Sequence, residues 1–213
     1  MKTAIVAGAT GLIGKELVKK LIHCNQYRTI YTISRTETGI IHEKVKTLIV
    51  NFDILSHLNI AESIDDAFCT LGTTMKQAGS KEQFKKVDYQ YVLEFAGLAR
   101  RCGATRFVTI SSMGAALKSP AFYNRVKGMT EEALKGVGFS QLFILRPSLL
   151  LGKRNEPRIA EYISGFVMKA LNFMIPANYR AIGADKVAEY MVKMALNSTE
   201  GIKIIESGEI QNG

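Results

Sequence analysis

Seven short apolar runs separated by amphipathic helical patterns constrain this chain more than any other feature it carries. The runs are Thr3 to Ala7, Thr29 to Ser34, Val45 to Val50, Ala67 to Leu71, Arg106 to Ser111, Gln141 to Leu145 and Gly201 to Ile205. Antiparallel neighbours can be joined by a tight turn, whereas parallel neighbours need a crossover that is usually a helix. Regular alternation therefore predicts an α/β protein with a doubly wound, mostly parallel sheet of about seven strands. The 213 residues suffice for one domain with a sizeable core. No linker, low-complexity tract or internal repeat divides them.

The first run leads straight into Gly8-Ala9-Thr10-Gly11-Leu12-Ile13-Gly14, and from about Leu12 to His23 the pattern is helical, with Ile13, Leu17 and Leu21 on one face. Strand, glycine turn, helix is the order a dinucleotide site requires. Glycine removes the Cβ atoms that would hold the backbone away from a pyrophosphate, and the helix N-terminus offers unpaired N–H groups. In this reading Gly8 allows the tight turn, Gly11 the close approach of phosphate and Gly14 the packing of helix on strand. The spacing is GxxGxxG, so the context carries more weight than the triplet. Gly8, Thr10, Gly11, Leu12, Ile13 and Gly14 are the first candidate cofactor contacts, in a Rossmann arrangement.

Ligands of such sheets bind beyond the carboxyl ends of the strands. After the second run comes Ser34-Arg35, where an acidic residue would serve ribose hydroxyls; an arginine there suits a 2′-phosphate and predicts NADPH over NADH. Asp53 after the third run is placed either to accept from an adenine amino group or to cap the next helix. After the fourth run, Leu71-Gly72-Thr73-Thr74 combines a glycine with two hydroxyls. Ser80-Lys81-Glu82-Gln83 reads as a capping box that opens a long helix through Phe84, Val87, Tyr91, Phe95 and Leu98. The fifth run ends in Ser111-Ser112, and a helical segment then carries Tyr123 and Lys127, four residues apart on one face. A lysine ammonium stabilises a phenolate and lowers the tyrosine pKa from about 10, which is a route to general acid–base catalysis.

Composition excludes several alternatives. The net charge of +9 is spread among acidic residues without a compact basic block, so no nucleic-acid role is expected. The start of the chain is broken by glycines and runs into Lys15-Glu16, unlike a cleaved signal. Cys24, Cys69 and Cys102 lack metal-ligand spacing, and three thiols fit a reducing cytoplasm, the expected location. Between Ile159 and Ile175 apolar residues recur at helical spacing, but Glu161 and Lys169 interrupt them. That stretch predicts a core or oligomer face, as in a homodimer, and no membrane span.

Together the glycine turn, Ser111-Ser112, Tyr123-Asn124-Arg125-Val126-Lys127, Arg146-Pro147-Ser148 and Gly183-Ala184-Asp185-Lys186-Val187-Ala188 make the chain resemble the short-chain dehydrogenase/reductase superfamily, in its atypical branch. Thr70 to Thr74, Lys86-Val87-Asp88-Tyr89, Ser111 to Ala115 and Arg146 to Leu151 are similar to the Tat-interacting-protein subgroup and its bacterial relatives. The resemblance implies that Ser112 or Ser111 hydrogen-bonds a substrate carbonyl, that Tyr123 moves the proton, and that Lys127 bonds the nicotinamide ribose. It implies that Arg146 and Pro147 end the sixth strand beside the nicotinamide, with Ser148 and Leu149 in the same wall. Where many relatives have asparagine, Asp88 aligns. Only 66 residues follow Pro147, too few for a large substrate domain or a sugar-nucleotide epimerase, so a small lid at residues 153–180 is expected. The expected function is reduction of a small carbonyl or quinone-like substrate by NADPH; the alternative is a module that senses NADPH and binds a protein without turnover.

Overall fold

The computed structural model describes residues 1–151 and 179–213. The expected lid therefore lies outside the described residues except for Tyr179 and Arg180, as does the amphipathic stretch from 159 to 175. The main sheet has seven parallel strands: β1 (Lys2–Ala7), β2 (Tyr27–Ser34), β3 (Val45–Ile49), β4 (Asp66–Cys69), β5 (Arg106–Ile110), β6 (Gln141–Arg146) and β9 (Gly201–Glu206). They are ordered β3-β2-β1-β4-β5-β6-β9, so the winding reverses between β1 and β4. This is the doubly wound sheet expected from the alternation. A two-stranded parallel ribbon, β7 (Leu150–Leu151) with β8 (Ile182–Gly183), lies apart from it and is too short to read from a pattern.

Both faces are covered. On one, α1 (Leu12–His23) packs with α6 (Ala184–Ala195), burying Leu17, Val18, Leu21, Val187 and Met191 against β1 and β2 side chains such as Ala4, Val6 and Ile30. On the other, α4 (Tyr91–Arg101) buries Val92, Phe95, Ala96 and Leu98 against Ile5, Ala7, Phe107 and Ile144. Alternate residues of β1 thus serve opposite layers, as the pleat requires. Among the described residues the remaining α-helices are the single turn α2 (Met75–Ala78), α3 (Lys81–Lys85), α5 (Phe122–Lys135) and the C-terminal α7 (Ser207–Asn212).

The long helix expected from Ser80 is present but not uniform. The Ser80 hydroxyl accepts from the Gln83 N–H at 3.1 Å, as a cap should. Between α3 and α4 the chain takes one π-helical turn, Lys86–Gln90. Such wide turns cost hydrogen-bond geometry and recur at functional sites. Here it carries Asp88, fully buried. Strand β4 stops at Cys69, short of the expected Leu71, with the Thr70 N–H still donating to the Ala7 carbonyl at 2.9 Å and its hydroxyl turned back onto β1.

Candidate functional site

Strand β1 delivers the chain to Gly8, whose φ of 87° lies where glycine is favoured. A Cβ at Gly8 would stand 2.7 Å from the Thr70 carbonyl carbon and hydroxyl oxygen. The Gly11 N–H donates to the Gly8 carbonyl at 2.9 Å. Gly14 lies on that carbonyl so closely that a Cβ would come within 2.0 Å of its oxygen. Thr70 clasps the turn, its hydroxyl 3.0 Å from both the Ala7 and Gly8 carbonyl oxygens. The sequence reading gave Thr70 no role of its own. Helix α1 begins with no side-chain cap and no acidic residue in its first turn. Its leading N–H groups, from Leu12 and Ile13, therefore stay available at the positive end of the helix, with Thr10 and Gly11 exposed at the rim. A cradle that any Cβ would fill, backed by uncapped N–H groups, fits a pyrophosphate.

Ser34 is buried at the end of β2, and Arg35 projects beyond it, exposed and without an ion-pair partner among the described residues. That leaves its guanidinium open to an anion. Of the two expectations for Asp53, capping is not met, because Asn51 takes that place. Asn51 caps the 3₁₀ turn by accepting from the Asp53 N–H at 2.9 Å, while Asp53 Oδ1 accepts from the Tyr91 hydroxyl and meets Lys86 Nζ, each at 2.7 Å. The Lys86 and Tyr91 contacts hold its carboxyl below the usual range despite the opposing effect of desolvation. Its Oδ1 is thus engaged within the chain.

The two serines after β5 separate cleanly. Ser111 is buried and donates to Glu131 of α5; Glu131 in turn receives Arg146 Nε at 3.0 Å and Nη2 at 2.6 Å, and Arg146 Nη1 reaches Glu206 at 3.0 Å. This network fastens the ends of β5, α5, β6 and β9 together. It bears on two expectations: the Ser111 hydroxyl is committed to Glu131, and the Arg146 guanidinium gives three of its five N–H groups to two carboxylates. Ser112 Oγ, by contrast, is buried with no hydrogen-bond partner among the described residues. An orphaned hydroxyl of that kind calls for a ligand or water, and it makes Ser112 the candidate catalytic serine.

Helix α5 presents Tyr123 and Lys127 as the spacing predicts, with the Tyr123 ring packed on Phe84 at 5.3 Å between centroids. Its close approach to the loop after β5 depends on Gly128, where a Cβ would lie 2.4 Å from the Ala116 carbonyl carbon. The Lys127 side chain is 6% exposed, and its Nζ stands 2.8 Å from Asp88 Oδ1. Burial by itself would lower the Lys127 pKa, but the Asp88 carboxylate, with Tyr123 adding to it, raises it above the ordinary value. Asp88 Oδ2 accepts from the Thr73 N–H at 2.8 Å, tying the loop after β4 to the pair. A Cβ on Gly72 would sit 3.4 Å from Asp88 Oδ1 and 3.6 Å from Lys127 Nζ, so the backbone leaves room directly over them. Leu71 is half-buried in this loop, and Thr74 caps α2 by accepting from the Gln77 N–H.

Pro147 is buried and its carbonyl accepts from the Met113 N–H at 3.3 Å, next to Ser112. Ser148 bonds the Arg180 carbonyl and receives the Ser207 hydroxyl at 3.0 Å, and Leu149 is 41% exposed. Glu131, which the sequence reading missed, had a signal: Tyr123, Lys127 and Glu131 are spaced by four along one helix.

Comparison with known proteins agrees with this geometry. The model of the NAD dependent epimerase/dehydratase family matches residues 4–181. A protein of Emericella nidulans named fmp52, mitochondrial, is 38% identical over 220 residues, covering all of this chain and 92% of its own length. Protein HTATIP2 of Rattus norvegicus is 34% identical over 167 residues, covering 76% of this chain and 69% of its own. The crystal structure of a short chain dehydrogenase family protein from Francisella tularensis superposes with a TM-score of 0.71 at 17% identity, over 99% of each chain. The expected cytoplasmic location is overturned by the names of the fungal relatives, which are mitochondrial. With the family model spanning most of the chain and the glycine cradle intact, the protein belongs to the NAD dependent epimerase/dehydratase family and carries its NAD(P)-binding Rossmann fold.

Proposed function

We propose that the protein is an NADPH-dependent oxidoreductase that reduces a small carbonyl or quinone-like substrate. The observation that carries this reading is the buried Ser112 hydroxyl, without a hydrogen-bond partner among the described residues, at the same end of the sheet as the Tyr123–Lys127 pair and the glycine turn. Gly8, Gly11 and Gly14, with the N–H groups of Leu12 and Ile13, would hold the pyrophosphate, and Arg35 would pair with the 2′-phosphate. The nicotinamide, when bound, supplies the hydride. Ser112 donates to the substrate oxygen and orients it, Tyr123 gives that oxygen its proton, and Lys127 bonds the ribose while its charge favours the phenolate left behind. A module that only senses the cofactor would need the turn and Arg35, and would leave Ser112, Tyr123 and Lys127 without a task.

NADPH consumption over a panel of aldehydes, ketones and quinones tests the reading. Tyr123→Phe should lower kcat by about 100-fold or more while cofactor affinity stays within a few-fold. Turnover that survives the substitution unchanged would overturn it.

A further inference from the structure

The Asp88 carboxylate sits where chain geometry, not chance, has put it. Its main chain lies in the π turn, and its carbonyl receives the Thr130 hydroxyl from α5 at 2.8 Å. Its side chain is fully buried between the Thr73 N–H and Lys127 Nζ. The Lys127 contact is a buried ion pair at 2.8 Å. It compensates the ammonium's charge inside the fold. Among the described residues, the titratable groups acting on Lys127 are Asp88 from the π turn, Tyr123 from its own helix and Cys69 from the end of β4.

We infer that Asp88 is a positioning residue that keeps Lys127 charged, tethers it to the Gly72–Thr73 loop and leaves the Tyr123–Lys127 pair with no net positive charge. The inference rests on the proton role of Tyr123 proposed above. An uncompensated ammonium beside Tyr123 would stabilise its phenolate; a compensated one does so less. Asp88 therefore offsets a charge that an asparagine at the same position would leave uncompensated beside Tyr123. Loop and lysine are coupled through the same carboxylate, so the ribose-facing donor cannot move without the backbone beside it.

Asp88→Asn isolates the charge, because the amide oxygen can still accept from the Thr73 N–H. The chain has eight tyrosines and no tryptophan, so phenolate formation can be followed in the near ultraviolet, with Tyr123→Phe in each background giving the signal of Tyr123 alone. Asp88→Asn should move the Tyr123 transition down by about one pH unit. An unmoved or upward transition in the folded variant would overturn the inference. If Asp88→Asn does not fold, the double variant Asp88→Asn/Lys127→Gln decides. Recovery of a wild-type-like melting temperature supports charge compensation as the role of Asp88, and failure of both overturns it. The titration uses neither cofactor nor substrate. A shifted transition without any turnover would uphold Asp88 and sink the reductase reading, and turnover with an unmoved transition would do the reverse.

Discussion

Gly14→Ala separates a built cofactor cradle from an ordinary strand–helix turn. The added carbon would meet the Gly8 carbonyl oxygen at 2.0 Å and both the Gly8 carbonyl carbon and Thr70 Oγ1 at 2.8 Å. Ordinary contact begins near 3.4 Å, so α1 must retreat by more than an ångström or the turn must open. Retreat disturbs Leu17, Val18 and Leu21, all fully buried, and overpacking of this kind costs about 1–3 kcal/mol. It also withdraws the Leu12 and Ile13 N–H groups from the phosphate. Two hydrogen bonds to a charged group at about 1.5–3 kcal/mol each imply a loss of about 100-fold or more in NADPH affinity. Gly11→Ala is the companion. Its backbone, at φ −73° and ψ 171°, suits any residue, and the nearest atom to its Cβ is 3.2 Å away. Stability should stay within about 1 kcal/mol while the methyl group obstructs phosphate, so affinity falls by about tenfold or more. Calorimetric titration with NADPH, paired with urea unfolding, reads both quantities. Gly14→Ala binding within a few-fold of wild type would refute the cradle argument.

Three further outcomes follow from contacts in the site. Ser112→Ala should reduce turnover by about 100-fold with little loss of stability, whereas Ser111→Ala should cost about 1–2 kcal/mol in urea unfolding by removing a buried hydrogen bond to the charged Glu131; the reverse pattern would exchange the serines' roles. Gly128→Ala places a carbon 2.4 Å from Ala116 and 2.6 Å from the Leu117 nitrogen, and should destabilise by about 1–3 kcal/mol and depress kcat more than cofactor affinity. Burial pushes the Cys69 thiol up to about 11, and ionisation falls tenfold per unit below that, leaving roughly one thiolate in a thousand at pH 8. Alkylation of the native protein followed by mass spectrometry should therefore leave Cys69 unmodified while the half-buried Cys24 and Cys102 react, and native Cys69 labelling at their rate would contradict this.

The sheet was legible because a period of two and a period of 3.6 leave different traces, and each strand from β1 to β6 and β9 begins and ends within about two residues of its apolar run. The glycine turn was legible for the same local reason, since its steric demands fall on neighbours in sequence. What could not be read were pairings across the fold. Nothing near Ser111 announces that Glu131, itself held by Arg146, will claim its hydroxyl and leave Ser112 without a partner among the described residues. Nor does anything near Asp53 announce that Tyr91 and Lys86, more than thirty residues away, will meet its Oδ1. Asp88 stood out in the sequence only as a departure from a family pattern. Its ion pair with Lys127 depends on the π turn, which no hydrophobic period encodes.

The central claim is that this Rossmann domain binds a nicotinamide dinucleotide and prefers the phosphorylated one. Calorimetric titration of purified, cofactor-stripped protein with NADPH and NADH, alongside Arg35→Ala, tests it most directly. The account predicts one site per chain, tighter binding of NADPH, and a loss of affinity in Arg35→Ala that falls much more heavily on NADPH than on NADH. Equal losses for the two would remove the 2′-phosphate role of Arg35, and binding of neither dinucleotide by the wild-type protein would contradict the account at its base.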